Sequence, residues 1–301
     1  MIITRELLEG SLDRLVRSVR DPNEGILGRD SITWQLGGDL GVFLGGGRAV
    51  LLQLAHPQVA YAIDHHSQTR ADVLGRFQRT FHHVFGMLFG DLDTALIAAR
   101  RVHAIHSRVH GEIDGVAYHA NDADALRWVH ATLIDTTIAV RRLLGAELSA
   151  GDLDRYTIEA RRFAMLFGIP DDRLPRSWAE HVHYMARMMP KLDVVPCARE
   201  MARFLIGRSG AIQPPLGALT EALAAAMLPD DLVREFALRR SDRRVSLAMK
   251  MFAPIYNRLP TRVTRLPAHV DAQRRLRGEP PSRFAAWTER QLFGLSRKVT
   301  G

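Results

Sequence analysis

Apolar side chains recur every three or four residues through most of the chain, and β-branched runs are few. That spacing predicts helices. Over residues 3–19, Leu7, Leu8, Leu12, Leu15 and Val16 share one stripe, with acids and arginines opposite. Residues 40–63 are apolar but interrupted by Gly45-Gly46-Gly47 and Pro57. They read as a short helix, a glycine hinge and one or two buried helices. Residues 71–89 read as a helix ending near Gly90. Asp91 then caps a strongly periodic helix from Leu92 to about His110, stopped by Gly111. Asp114-Gly115-Val116-Ala117-Tyr118 is the best turn or short-ribbon segment. Asn121 or Asp122 can cap a helix running through Trp128 and His130 to Leu144. Residues 149–167 repeat the pattern, with Ser149 as N-cap and Gly168 as stop.

Shorter helical pieces follow at 175–188, 198–206, 218–227 and 229–238, with 207–215 as the plausible linker. Beyond Pro254, prolines at 260, 267, 280 and 281 break the chain before a last amphipathic helix at 284–295. The expected fold is mainly α, with the chain forming a single domain over 1–301.

The 301 residues are 47% hydrophobic and 25% charged, values that exclude wholesale disorder. No run of eighteen apolar residues escapes a charge or a helix breaker, so no bilayer-spanning helix is expected. The N-terminus alternates charged and apolar residues and lacks the apolar core of a secretory signal. One cysteine, Cys197, rules out an internal disulfide and a cysteine-rich zinc site, and a reducing cytoplasm is the simplest compartment.

Charge is unevenly spread. From Arg234 onward there are 16 basic residues against 5 acidic ones, whereas the rest of the chain is slightly acidic. Such a segment is a solvated face or a peripheral contact with anionic membrane. Nucleic acid is not expected as a partner, because no RNA-binding aromatic signature accompanies the charge.

Histidine carries the candidate chemistry. Ten of the thirteen lie between His56 and His130, and His103, His106 and His110 fall at spacings that place them on one face of one helix. Each buried imidazole needs a partner, so three together point beyond packing, to a transition-metal site or axial ligation of haem iron. The residue after His106 is Ser107, so the HExxH general base is missing and a zinc hydrolase is disfavoured.

A second constellation, Arg76, Arg79 and Thr80, shares a helical face. It reads either as a solvated arginine pair or as a polar cluster over a cofactor. Gly45-Gly46-Gly47-Arg48 lacks the phosphate-loop frame and reads instead as glycines permitting close helix packing. No Gly-x-Ser-x-Gly elbow is present. Asp64-His65-His66-Ser67 are too close in sequence to converge as a triad.

Three runs, LGGGRAVLLQLAHPQVAYAIDHHS, GRFQRTFHHVFGMLFGD and AARRVHAIHSRVHGEIDGVAYHANDADALRWVHATLID, together resemble the MpaB-like oxygenase family, which includes the latex-clearing rubber oxygenases. The resemblance covers roughly residues 30–190, and the C-terminal third shares it only in a general way. It implies a helical fold like that of the latex-clearing proteins, a b-type haem, and dioxygen-dependent oxidation of a hydrophobic substrate. An electron donor of unknown identity is a further expected partner.

In the rubber-cleaving members a helix histidine is the proximal iron ligand and an Arg-x-x-Lys-Thr motif lies on the distal side. Carried over, the ligand is His106, and the distal motif falls on Arg76, Arg79 and Thr80. His110 and His130 are further cofactor-binding candidates. His130 and His56 match family positions, and for both a satisfied core histidine is the favoured reading.

One departure stands out. Arg79 replaces the family's distal lysine, and arginine stays protonated and ligates metal poorly. The sixth iron position is then open, water-filled or taken by another histidine such as His82 or His83. The chain is shorter than the rubber oxygenases and lacks their export signal, which favours a small isoprenoid- or lipid-like substrate over an extracellular polymer. Two other readings stay open: a helical protein that binds haem or lipid without turnover, and a non-haem metal enzyme using His103, His106 and His110.

Overall fold

Side-chain caps start most of the long helices. The computed structural model describes residues 1–66, 73–206, 216–283 and 285–287, with side chains at all of these except 66, 73–77 and 216. Thr4 caps α1 (Arg5–Ser18), accepting from the Leu7 amide, and Ser31 caps α2 (Ile32–Gly37) through Trp34. A 3-10 turn, Leu40–Gly45, leads into α3 (Gly46–Leu54) and α4 (Pro57–His66). The helical hairpin α5 (Val73–Phe89) and α6 (Leu92–His106) turns at Gly90, with Asp91 capping α6 through Thr94.

A two-stranded ribbon follows, β1 (His110–Ile113) against β2 (Val116–His119), antiparallel. Its turn residues Asp114 and Gly115 both have positive φ, 51° and 76°, the backbone that tight hairpins require. Asp122 caps α7 (Ala123–Leu143), and Ser149 caps α8 (Ala150–Met165). Gly168, φ 75°, ends that segment, and a Cβ there would sit 2.5 Å from Ile3 Cγ2. Ser177 caps α9 (Trp178–Met188). Then come α10 (Pro196–Ile206), α11 (Leu216–Met227), α12 (Asp230–Glu235), α13 (Asp242–Arg258), α14 (Thr261–Thr264) and α15 (Pro267–Leu276). The expected linker at 207–215 and most of the expected helix at 284–295 lie outside the described residues.

The fold is mainly α, as the periodicity predicts. Four buried clusters hold it, and α7 reaches all of them. Leu126 joins the cluster of Leu8, Leu12, Phe85, Phe89 and Phe163. Trp128 joins Leu51, Leu52, Met201 and Ala224 and donates its indole N–H to Leu52 O at 2.8 Å. Ile134 and Ile138 pack on Tyr156, and Val140 on Leu223 and Met249.

The glycine triplet is not a hinge. It opens α3 and lets that helix pass close between α7 and α11: a Cβ on Gly45 would lie 2.4 Å from Thr136 Cγ2, and one on Gly47 would lie 3.0 Å from Thr220 Cγ2.

Candidate functional site

The helical hairpin decides which residues can meet. The turn between α5 and α6 is only two residues long, so the helices run antiparallel and pack along each other. At 1.5 Å per residue, Arg76 and His106 each lie about 20 Å from the turn, at the same end of the pair. His83 one to two turns nearer Gly90 fits this register, since its imidazole feels Arg101 of α6. Burial, with neighbouring His82 and Arg101, lowers the His83 pKa below the ordinary histidine value. Arg79 and Thr80 expose their side chains on α5, whereas the side chain of Arg76 is outside the described residues.

α6 ends at His106, one turn earlier than its periodicity predicts. Ser107 turns its hydroxyl back to His103 O at 2.9 Å. The Asn121 amide, arriving from beyond the ribbon, donates to His103 O and to Ser107 Oγ, each at 3.1 Å. These bonds satisfy carbonyl and hydroxyl groups at the helix end and divert the chain into β1. His106 is thus the last residue of α6, half-buried, at the negative end of the helix dipole.

The expected trio of histidines on one helix does not exist, and each member has a different fate. His103 places Nε2 3.0 Å from Ile3 O; a carbonyl only accepts, so Nε2 carries the proton. His110 belongs to β1, directly across from His119, and the two rings stack at 5.5 Å and 16°. His119 Nδ1 accepts from the backbone N–H of Asn121 at 2.9 Å. His106 remains as the histidine at the junction of helix pair and ribbon. The ribbon is held from its other side by α4, where Gln58 donates to Ala117 O at 3.1 Å and Tyr61 packs near Tyr118.

His130 is buried between α7 and α8. Its Nε2 donates to Ala160 O at 2.9 Å, its ring stacks on Phe163, and burial pushes its pKa down to about 4. Those bonds assign the imidazole to the helix–helix contact. His56 joins α3 to α4, with Nδ1 shut off from solvent and no hydrogen-bond partner for it among the described residues. His82 and His83 are neighbours on α5, ring centroids 5.6 Å apart.

One buried cluster has no signature in the sequence. Arg48, just after the glycine triplet, donates to Asp135 Oδ2 at 2.5 Å, Thr136 Oγ1 at 2.7 Å and Met227 O at 2.9 Å. His181 of α9 is fully buried, stacked on Trp178, with Nε2 3.4 Å from Asp135 Oδ1. Burial opposes ionisation of Asp135, but His181 and Arg48 outweigh it and hold the carboxyl below its ordinary range. Neither Arg48 nor His181 sits in a pattern that names its partner, because the partners lie 87 and 46 positions away.

The donor set can be tested against the cofactor that the sequence resemblance implies. An iron inside a porphyrin needs one or two protein donors, whereas a bare ion is held by three or more. Among the described residues no three His, Cys, Asp or Glu side chains converge as a metal site. His103 is engaged with Ile3, and His110 has left the helix. One imidazole, that of His106 at the end of α6, is a donor number that suits a haem iron, whereas the three-histidine centre is not assembled among the described residues.

The fold is mainly helical, and His106 ends α6 at the same end of the helix pair as Arg79 and Thr80. Residues 34–258, about three quarters of the chain, match the family described as ER-bound oxygenase mpaB/B'/rubber oxygenase, catalytic domain. The chain belongs to that family, whose members are oxygenases and use dioxygen. The match runs on to Arg258 at the end of α13, so most of the C-terminal third falls within the family domain. No curated protein and no solved structure matches the chain. No described helix is long and apolar enough to cross a membrane.

Proposed function

We propose that this protein is a haem b-dependent oxygenase of a small hydrophobic, isoprenoid- or lipid-like molecule, working in the reducing cytoplasm with a separate electron donor. The observation that carries the reading is the position of His106, last in α6 and at the same end of the helix pair as Arg76, Arg79 and Thr80. His106 would hold the iron through its imidazole. When bound, haem supplies the one-electron chemistry that makes dioxygen reactive toward a carbon–carbon double bond.

The chain's own groups do the rest. Arg76 and Arg79 provide two permanent positive charges, and Thr80 adds a hydroxyl that both donates and accepts. They would orient a polar oxygen species and draw negative charge toward themselves. Arg79, unlike the family's lysine, does not surrender its proton, so it acts as a fixed cation and not as a competing ligand.

The test is the ultraviolet–visible spectrum of protein expressed with haem precursor, beside His106→Ala. A Soret band in the wild type that is lost in a folded variant supports the assignment. A band equally strong in His106→Ala overturns it. The Arg79 departure favours one rival, haem binding without turnover. A loaded protein that consumes no oxygen with any prenyl or fatty substrate would select that rival.

A further inference from the structure

The basic surplus of the C-terminal quarter takes a definite form in α13. Its inner side is Val245, Met249 and Ala253, four residues apart, packed with Val140, Leu144 and Leu223. The outer side of a surface helix is ordinarily polar. Here Leu247, Met251 and Ile255, again four apart, are each 63% exposed, and Phe252 and Leu259 are exposed beside them. These side chains form one apolar stripe, about 12 Å from Leu247 to Ile255 at 1.5 Å per residue.

Cations surround it. Arg243 and Arg244 stand at one end, Lys250 alongside, and Arg258 and Arg262 of α14 at the other, all exposed. The one acid from 242 to 262 is Asp242, and its carboxylate is already paired with Arg240 at 2.8 Å.

Aliphatic side chains held in the open by a folded helix need an apolar partner, and the rim of cations selects its charge. A second copy laid on the same face would bring the cations against one another. Nucleic acid would satisfy the cations but leave the aliphatic stripe in water. The surface that satisfies both is a lipid leaflet with anionic headgroups, with apolar groups at the acyl boundary and cations at phosphate level.

We propose that α13 lies flat on an anionic membrane surface, inserting Leu247, Met251, Phe252 and Ile255, with Arg243, Arg244, Lys250 and Arg258 at the headgroups. The inference stands apart from the oxygenase reading, because it rests on different residues and needs no haem.

The experiment is co-sedimentation of the full chain with sucrose-loaded vesicles of phosphatidylcholine, with and without phosphatidylglycerol. Binding is expected to need phosphatidylglycerol and to weaken with salt. The variant Leu247→Ser/Met251→Ser/Ile255→Ser should bind about tenfold or more weakly with unchanged helical circular dichroism, since these side chains make no core contact. Equal binding to both vesicle types, equal binding by the variant, or no binding at all would overturn the proposal. So would a wild-type dimer that the variant converts to monomer without any vesicle binding, which would assign the stripe to a second copy.

Discussion

The imidazole of His103 and the carbonyl of Ile3 meet across a hundred residues of sequence, 3.0 Å apart. The bond fastens the end of α6 to the N-terminal segment, where the Ile3 amide in turn donates to Asn121 O at 2.8 Å. It also separates His103 from His106 in role, although the two are one turn apart on the same helix. His103→Ala should therefore lose about 1–2 kcal/mol of stability by urea denaturation, the cost of one hydrogen bond and a stranded carbonyl. Its Soret band, if the haem assignment holds, should survive. Loss of the band in a folded His103→Ala protein would transfer the ligand role from His106 to His103.

The helices and their caps were largely written in local sequence, because Ser31, Asp91, Asp122, Ser149 and Ser177 each bond an amide two or three residues on. The site was legible only in part. The spacing of His103, His106 and His110 is helical, yet the helix stops at His106 because Asn121 and Ser107 take up its last turn, and Asn121 lies beyond the ribbon. No local pattern contains that contact. α13 escaped notice for a different reason: Pro254 lies inside it and reads locally as a helix breaker, and apolar residues occupy its outer face as well as its inner one. The partnership of Arg48, Asp135 and His181 joins α3, α7 and α9 and becomes visible only when those helices are packed.

Two adjacent glycines offer a controlled test of the close approach of α3. A Cβ on Gly45 would meet Thr136 Cγ2 at 2.4 Å and Val140 Cγ2 at 2.7 Å, both on the central helix. Gly45→Ala should cost about 1–3 kcal/mol through overpacking. A Cβ on Gly46 meets nothing within 4 Å, and its φ of −54° suits any residue. Gly46→Ala should be neutral or stabilising by up to about 1 kcal/mol, as the unfolded chain loses freedom. Similar losses of urea midpoint in the two variants would show that packing against α7 is not what requires glycine.

His269 of α15 sits against Trp34, ring centroids 4.0 Å apart, and Phe89, 5.5 Å. Neither ring nitrogen has a hydrogen-bond partner among the described residues. Burial, with Arg265 adding to it, pushes its pKa down to about 3. The folded protein therefore holds this imidazole neutral while the unfolded chain protonates it near its ordinary value. Stability is full above about pH 6.5 and falls as pH drops toward the folded value, by about 2 kcal/mol between pH 6.5 and 5. His130, pushed down to about 4, adds a loss of the same sign. His269→Leu should remove its own contribution, making the fall in urea midpoint from pH 7 to 5 shallower. Parallel pH curves for variant and wild type would show that His269 is not buried as described.

Asp135 also loses stability as pH falls, in a more acid window, and carries a larger cost. Its carboxylate is the counter-charge for the buried guanidinium of Arg48 and the neighbour of His181. Asp135→Ala leaves Arg48 a buried cation without its anion, and should destabilise by about 3–5 kcal/mol. Asp135→Asn keeps the shape and removes only the charge. Because the folded carboxyl ionises more readily than an ordinary one, the folded state binds fewer protons than the unfolded state over that interval. The stability it contributes is complete above the ordinary aspartate value, about pH 4, and is lost as pH falls through the lower folded value. Wild-type protein should thus show an extra acid-side decline below about pH 4 that Asp135→Asn lacks. Equilibrium unfolding across that range decides it: an acid limb of the same depth in both proteins would mean that Asp135 is not the charge that balances Arg48.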